Sequence, residues 1–157
     1  MEDTRYALAF VSAAWFDHPA KKLTTIGITG TKGKTTTTYL VKSILENAGR
    51  KVGLVGTIEI IIGDTHIHAV NTTPESYLLQ EYFAKMVESG CDTVVMEVSS
   101  QALMLHRTQG FVFDFGIFTN LEPDHIGPNE HGSFEEYAHC KSLLFQQCRI
   151  GIANCDD

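Results

Sequence analysis

At 157 residues the chain has room for one domain with a real core, and its 43% apolar and 20% charged content is that of an ordinary globular protein. A net charge of −7 with no basic stripe argues against nucleic acid as a partner. No apolar run reaches membrane-spanning length and no signal peptide opens the chain, so a cytoplasmic protein with no membrane partner is expected. Cys91, Cys140, Cys148 and Cys155 have no C-x-x-C spacing and read as reduced thiols.

Residues 4–16 read as a helix, apolar on most sides, that needs a surface to pack on; His18-Pro19 ends it. Leu23–Ile26 is a short β-branched strand leading into the glycine-rich run 27–36. A helix starts at Thr35, with Tyr39, Leu40, Ile44, Leu45 and Ala48 at helical spacing and Gly49 at the C-cap. Residues 51–55 form a second strand, and 57–62 and 65–70 flank Gly63-Asp64 as a hairpin. Thr73 is placed to N-cap a helix with Pro74 in its first turn, burying Leu78, Leu79, Tyr82, Phe83, Met86 and Val87 and closing at Gly90. Residues 92–98 make a buried strand, 99–105 a short helix and 111–119 another strand. After a loop over 120–132, Ser133-Phe134-Glu135-Glu136 is a capping box for a helix, and 149–154 is a final strand. Strands alternating with helices predict an α/β fold of the phosphate-loop type, a mostly parallel sheet flanked by helices with a small β-hairpin insertion.

Strand, glycine-rich turn, Gly33-Lys34-Thr35 and helix follow one another as in a phosphate-binding loop. Gly30 and Gly33 free backbone N–H groups to face an anion, the helix start adds unpaired N–H groups, Lys34 supplies a cation for the β/γ-phosphates and Thr35 a hydroxyl for Mg²⁺. The glycines stand at 27, 30 and 33, with Ile28 where the general rule wants glycine. Glu97 ends an apolar strand, where a parallel sheet presents ligands, and is placed to hold Mg²⁺ directly or through water; the alternative is a strand-end carboxylate in solvent.

Lys141 falls in the middle of the apolar arc formed by Phe134, Tyr137, Ala138, Leu144, Phe145 and Cys148. It either snorkels with a buried stem or points into the cleft as a phosphate partner or a modified residue. His125, beside Asp124 and near His131, could ligate a metal, contact a phosphate or be an ordinary loop histidine. His66 and His68 share a face of the hairpin without a third ligand and read as exposed strand residues. Asn71-Thr72-Thr73 could hold a polar substrate or serve only as a cap, while Ser99, Ser100 and Arg107 follow Glu97, with Arg107 suited to a carboxylate or phosphate. Nothing marks a nucleophile elbow, and no Asn-Lys-x-Asp motif supports a GTPase.

In that order the segments 27–37, 71–74, 97–103 with His106-Arg107, 118–125 and 134–141 resemble the Mur ligase family, and within it the branch that adds the third amino acid of the peptidoglycan stem to a UDP-muramoyl-dipeptide. The resemblance implies an ATP-dependent amide ligase working through an acyl phosphate. Gly30, Thr31, Lys32, Gly33, Lys34, Thr35 and Thr36 would bind ATP. Thr35, Glu97, His125 and a carbamylated Lys141 would serve metal, Mg²⁺ being the expected ion. Asn71, Thr72, Thr73, Ser99 and Arg107 would hold the UDP-MurNAc-dipeptide, and Lys34, Glu97, His125 and Lys141 would carry the catalysis. Lys32, where the family usually has Asn, Leu105 and a longer 126–130 loop depart from its pattern. Residues 1–22 would be the tail of a UDP-binding domain and 23–157 most of the central ATPase domain, with no amino-acid-binding domain. Such a chain, expected as a monomer, would keep its phosphate-binding elements without completing the reaction. A stand-alone nucleotide-binding module and a ligase acting on folate or a polypeptide are the rival readings, the second opposed by the Asn-Thr-Thr-Pro stretch.

Overall fold

The computed structural model describes residues 3–124, 126–127 and 131–156. Among these, seven strands form one sheet: β1 (Thr24–Thr29), β2 (Val52–Val55), β3 (Glu59–Ile62), β4 (Thr65–His68), β5 (Thr93–Glu97), β6 (Phe113–Phe118) and β7 (Cys148–Ala153), in the order β4-β3-β2-β5-β1-β6-β7. The five strands from β2 to β7 run parallel, and β3 and β4 continue the same sheet antiparallel at one edge. The expected hairpin is therefore an extension of the sheet, turned by Gly63 at φ 55°.

The period-two alternation of apolar residues assigns each strand residue to a layer. Val94 and Met96 face α3 (Ser76–Glu88), α4 (Ser100–Met104) and α5 (Phe134–Gln146), packing with Leu79, Phe83, Leu103 and Leu144. Val95 faces the other way and, with Ile26, Ile28 and Val52, packs against Val41 and Leu45 of α2 (Lys34–Asn47). A parallel sheet covered on both faces explains why β1 and β5 are almost wholly buried. The first helix, α1 (Thr4–Trp15), is capped by Asp3 and lies against α3 with Ala9, Ser12 and Ala13 inward, leaving Val11 and Trp15 exposed.

Three sequence expectations need correction. Thr73 does not cap α3: the cap position is Glu75, without a side-chain cap bond, and the Thr73 hydroxyl instead accepts from the Ser99 amide and donates to the Glu97 carbonyl. Leu78 is 42% exposed, so the buried stripe of α3 is narrower than the apolar spacing predicts. The capping box of α5 is shifted by one partner: Ser133 accepts from the Glu136 amide at 3.2 Å, but the Glu136 carboxylate takes the amide of Gly132. His66 and His68 stand on the exposed edge strand as the sequence indicated, with His66 Nδ1 2.7 Å from Glu59.

Candidate active site

The ends of β1, β5 and β6 converge. Ile28 lies opposite Glu97 in one register and Thr29 opposite Phe118 in the other, so the loop leaving β1 is flanked by a carboxylate on one side and by residues 119–122 on the other. Gly33, at φ 76°, provides the left-handed turn into α2, and among the described residues no side chain caps that helix. The first turn of α2 thus keeps backbone donors and the positive end of its dipole for an anion.

Two lysines meet at this loop. Lys34 Nζ donates to the carbonyls of Gly30 at 2.9 Å and Thr31 at 3.0 Å, and Lys141 Nζ donates to the same Gly30 carbonyl at 2.8 Å. Lys141 is 1% exposed and lies 4.5 Å from the centre of the Tyr137 ring. It does not snorkel. Burial pushes its pKa down to about 7, with the Lys34 charge adding to the effect. Burial also lowers Lys34, against the opposing pull of Glu97 and Asp124.

Glu97 is 1% exposed, which removes the reading of a solvated strand end. Its carboxylate accepts from the Thr57 amide at 2.8 Å, the Thr57 hydroxyl at 3.0 Å and the Thr35 hydroxyl at 3.0 Å. This donor set of carboxylate and hydroxyl oxygens suits a hard cation that keeps several waters and takes its remaining ligands from phosphates. Among the described residues no group of three His, Cys, Asp or Glu side chains could cage a metal alone. His125 lies outside the described residues. His131 is buried, with Nε2 2.8 Å from the Ser100 hydroxyl.

A cleft of about 470 Å³ opens beside the loop and brings Lys34, Asn71, Thr72, Thr73, Ser99, Arg107 and Lys141 together. Thr73 locks its rim, donating to the Glu97 carbonyl at 2.9 Å and accepting from the Ser99 amide at 3.1 Å. Arg107 donates to the Thr73 carbonyl at 3.2 Å and pairs with Glu75 at 2.7 Å. Asn71 is exposed and Thr72 half-buried, its hydroxyl 3.1 Å from that of Thr57. Thr36 is exposed on the first turn of α2. Thr31 is 6% exposed, its amide donating to Asn120 and its hydroxyl to the Glu122 carbonyl, while Lys32 is exposed and paired with Glu122.

Thr57, Asn120 and Tyr137 belong to this site but were assigned no role from sequence. Thr57 sits in the turn after β2 with no motif around it, while Asn120 and Tyr137 stood inside recognised segments. Tyr137 is fully buried and donates its hydroxyl to Thr31 at 3.1 Å. A separate cleft of about 480 Å³ lies at the opposite end of the sheet, beside Leu23, Val112 and Asp114.

The Mur ligase middle-domain family model matches residues 28–157. The chain is 51% identical over its whole length to the UDP-N-acetylmuramoyl-L-alanyl-D-glutamate--2,6-diaminopimelate ligase 1 of Clostridium acetobutylicum, covering 32% of it. It is likewise 51% identical to the ligase of that activity from Caldanaerobacter subterraneus, again covering 32%. The chain thus spans about a third of the length of the curated relatives it matches. A solved UDP-N-acetylmuramoyl-L-alanyl-D-glutamate--2,6-diaminopimelate ligase superposes on the whole chain with a TM-score of 0.87 at 25% identity, 32% of that structure being covered. A Mycobacterium tuberculosis folylpolyglutamate synthase complexed with ADP shares the fold, with a TM-score of 0.72 at 16% identity over 97% of this chain and 41% of that one.

Proposed function

The chain belongs to the Mur ligase family, and from that premise we propose that it is the nucleotide-binding part of an ATP-dependent ligase that adds the third residue to UDP-N-acetylmuramoyl-L-alanyl-D-glutamate in peptidoglycan synthesis. The observation that carries this reading is the convergence of Lys34 and Lys141 on one carbonyl, beside the Thr35–Glu97 pair and at the head of the cleft holding Asn71, Thr73, Ser99 and Arg107. The Lys34 cation and an uncapped helix start suit the phosphates of ATP, and the oxygens of Thr35 and Glu97 suit Mg²⁺. Bound there, Mg²⁺ would offset the charge on the phosphates.

In this reading the amides of the first α2 turn and Lys34 hold the phosphates, while Thr57 keeps the Glu97 carboxylate aimed at the Thr35 hydroxyl. Arg107 and the 71–73 turn orient the substrate so that its free carboxylate reaches the γ-phosphate. A carboxylate oxygen attacks the γ-phosphorus and ADP leaves; the amine nitrogen then attacks the acyl carbon of the acyl phosphate, and phosphate and a proton leave as the amide forms. In its neutral form the Lys141 amine would take up CO₂ with loss of one proton, giving an anionic carbamate that would serve as a metal ligand. His125 is proposed for the second metal position on the family pattern alone. Residues 1–22 are proposed as the tail of a preceding domain and 23–157 as part of the ATPase domain.

Calorimetric titration of the 157-residue chain with ATP and Mg²⁺ tests the reading. Binding is expected, and Lys34→Ala should weaken it at least about tenfold by removing a charge-assisted contact. No binding by the wild-type chain would refute the nucleotide site, and amino-acid-dependent phosphate release by this chain alone would refute the expectation that it cannot turn over by itself.

A further inference from the structure

Asn120 lies two residues beyond β6, inside a recognised segment, and the ligase reading assigns Asn120 itself no role. Its side chain spends its hydrogen-bonding capacity on the phosphate loop. Oδ1 accepts from the amide of Thr31 at 3.1 Å and from that of Lys32 at 2.8 Å, and Nδ2 donates to the Lys32 carbonyl at 3.0 Å. The backbone closes around it, with the Thr31 amide also donating to the Asn120 carbonyl at 3.0 Å and the Thr119 amide to the Thr29 carbonyl at 3.0 Å. The fit leaves no spare room: a Cβ on Gly30, at φ 152°, would stand 2.0 Å from the Thr119 hydroxyl.

We propose that Asn120 is a positioning residue that fixes the first half of the phosphate loop in its binding shape before any nucleotide arrives. This rests on the nucleotide-binding reading above. The two amides Asn120 ties down are turned toward the end of β6, so the donors left for phosphate are those from Gly33 onward. Ordering the loop in the folded state spares that entropy on binding. An amide side chain meets all three contacts, one acceptor for two N–H groups and one donor for the Lys32 carbonyl, while a carboxylate keeps the acceptor half alone. Asn120 does not itself contact phosphate; it acts through residues 30–33.

The Lys32 amide reports the clamp, since Asn120 Oδ1 is the acceptor the structure gives it. Amide hydrogen exchange on the isotope-labelled 157-residue chain should show Lys32 exchanging about tenfold faster in Asn120→Ala, the expected consequence of one lost hydrogen bond. Thr31, which keeps the Asn120 carbonyl, should change less, and the core amides of Ile26 and Val95 should stay within about twofold. Asn120→Asp, which retains the acceptor oxygen, should restore protection at Lys32. The affinity for ADP with Mg²⁺ should fall about tenfold in Asn120→Ala as the ordering cost moves to the binding step. Unchanged Lys32 exchange in Asn120→Ala, equal acceleration of the core amides, or failure of Asn120→Asp to restore protection would each overturn the clamp. A wild-type chain that takes up no ADP would overturn the nucleotide reading instead, and the exchange result would still decide the clamp.

Discussion

Replacing Lys141 by methionine should make the protein more stable while removing a group on which the proposed chemistry depends. The ammonium is 1% exposed, with a pKa pushed from 10.5 to about 7. At 1.36 kcal/mol per pH unit, that difference sets a ceiling of ~5 kcal/mol on the cost of keeping the charge inside. Methionine fills similar volume but forfeits the bond to the Gly30 carbonyl and the contact with the Tyr137 ring, together ~2 kcal/mol. The balance is a stabilisation of up to about 3 kcal/mol at pH 7, in line with other replacements of buried charge by apolar groups.

The pH dependence has a definite sign. A lysine whose folded pKa is depressed binds fewer protons in the folded than in the unfolded state between pH 7 and 10.5, so its contribution to stability rises with pH across that window. The advantage of Lys141→Met over wild type should therefore shrink by ~2 kcal/mol between pH 7 and 9. Urea unfolding of both proteins in CO₂-free buffer at those pH values measures it. A variant less stable than wild type at pH 7, or an advantage independent of pH, would refute the buried-ammonium reasoning.

Glu97→Gln removes the buried charge yet leaves the Thr57 amide an acceptor, so unfolding free energy should change by less than ~1.5 kcal/mol while Mg²⁺-dependent ATP affinity falls at least about tenfold by calorimetry. Gly30→Ala forces a methyl group into the Thr119 hydroxyl at a φ that side chains rarely adopt; a loss of ~2 kcal/mol or more is expected in urea unfolding, with weakened nucleotide binding. Thr73→Val severs the bonds to the Glu97 carbonyl and the Ser99 amide; it should cost ~1–3 kcal/mol and weaken UDP-N-acetylmuramoyl-L-alanyl-D-glutamate binding more than ATP binding.

The fold was legible where one local signal decided each element. Gly30, Gly33 and Lys34 mark the phosphate loop because backbone geometry and charge there leave few other readings, and the alternation of Val94, Val95 and Met96 marks a strand covered on both faces. Lys141 was visible as an anomaly on an apolar arc, but whether its amine reached solvent depended on Gly30 and Tyr137, which come from other elements or the preceding turn. Thr73 misled because its hydroxyl accepts from the distant Ser99 amide, while its proton goes to the Glu97 carbonyl, and the helix cap falls two residues later, at Glu75. Thr57 could not be found from its own neighbourhood, since its role is to hold a carboxylate 40 residues away. Leu78 is apolar at helical spacing but lies past the edge of what the sheet covers.

The central claim is that nucleotide and carboxylate substrate meet at the ends of β1 and β5. Backbone resonances of the 157-residue chain, followed first with ADP and Mg²⁺ and then with UDP-N-acetylmuramoyl-L-alanyl-D-glutamate added, test it most directly. ADP should move residues 33–36 and 97, and the second ligand should move 71–73, 99 and 107. Perturbations confined to the cleft beside Leu23 and Val112, or none from either ligand, would contradict it.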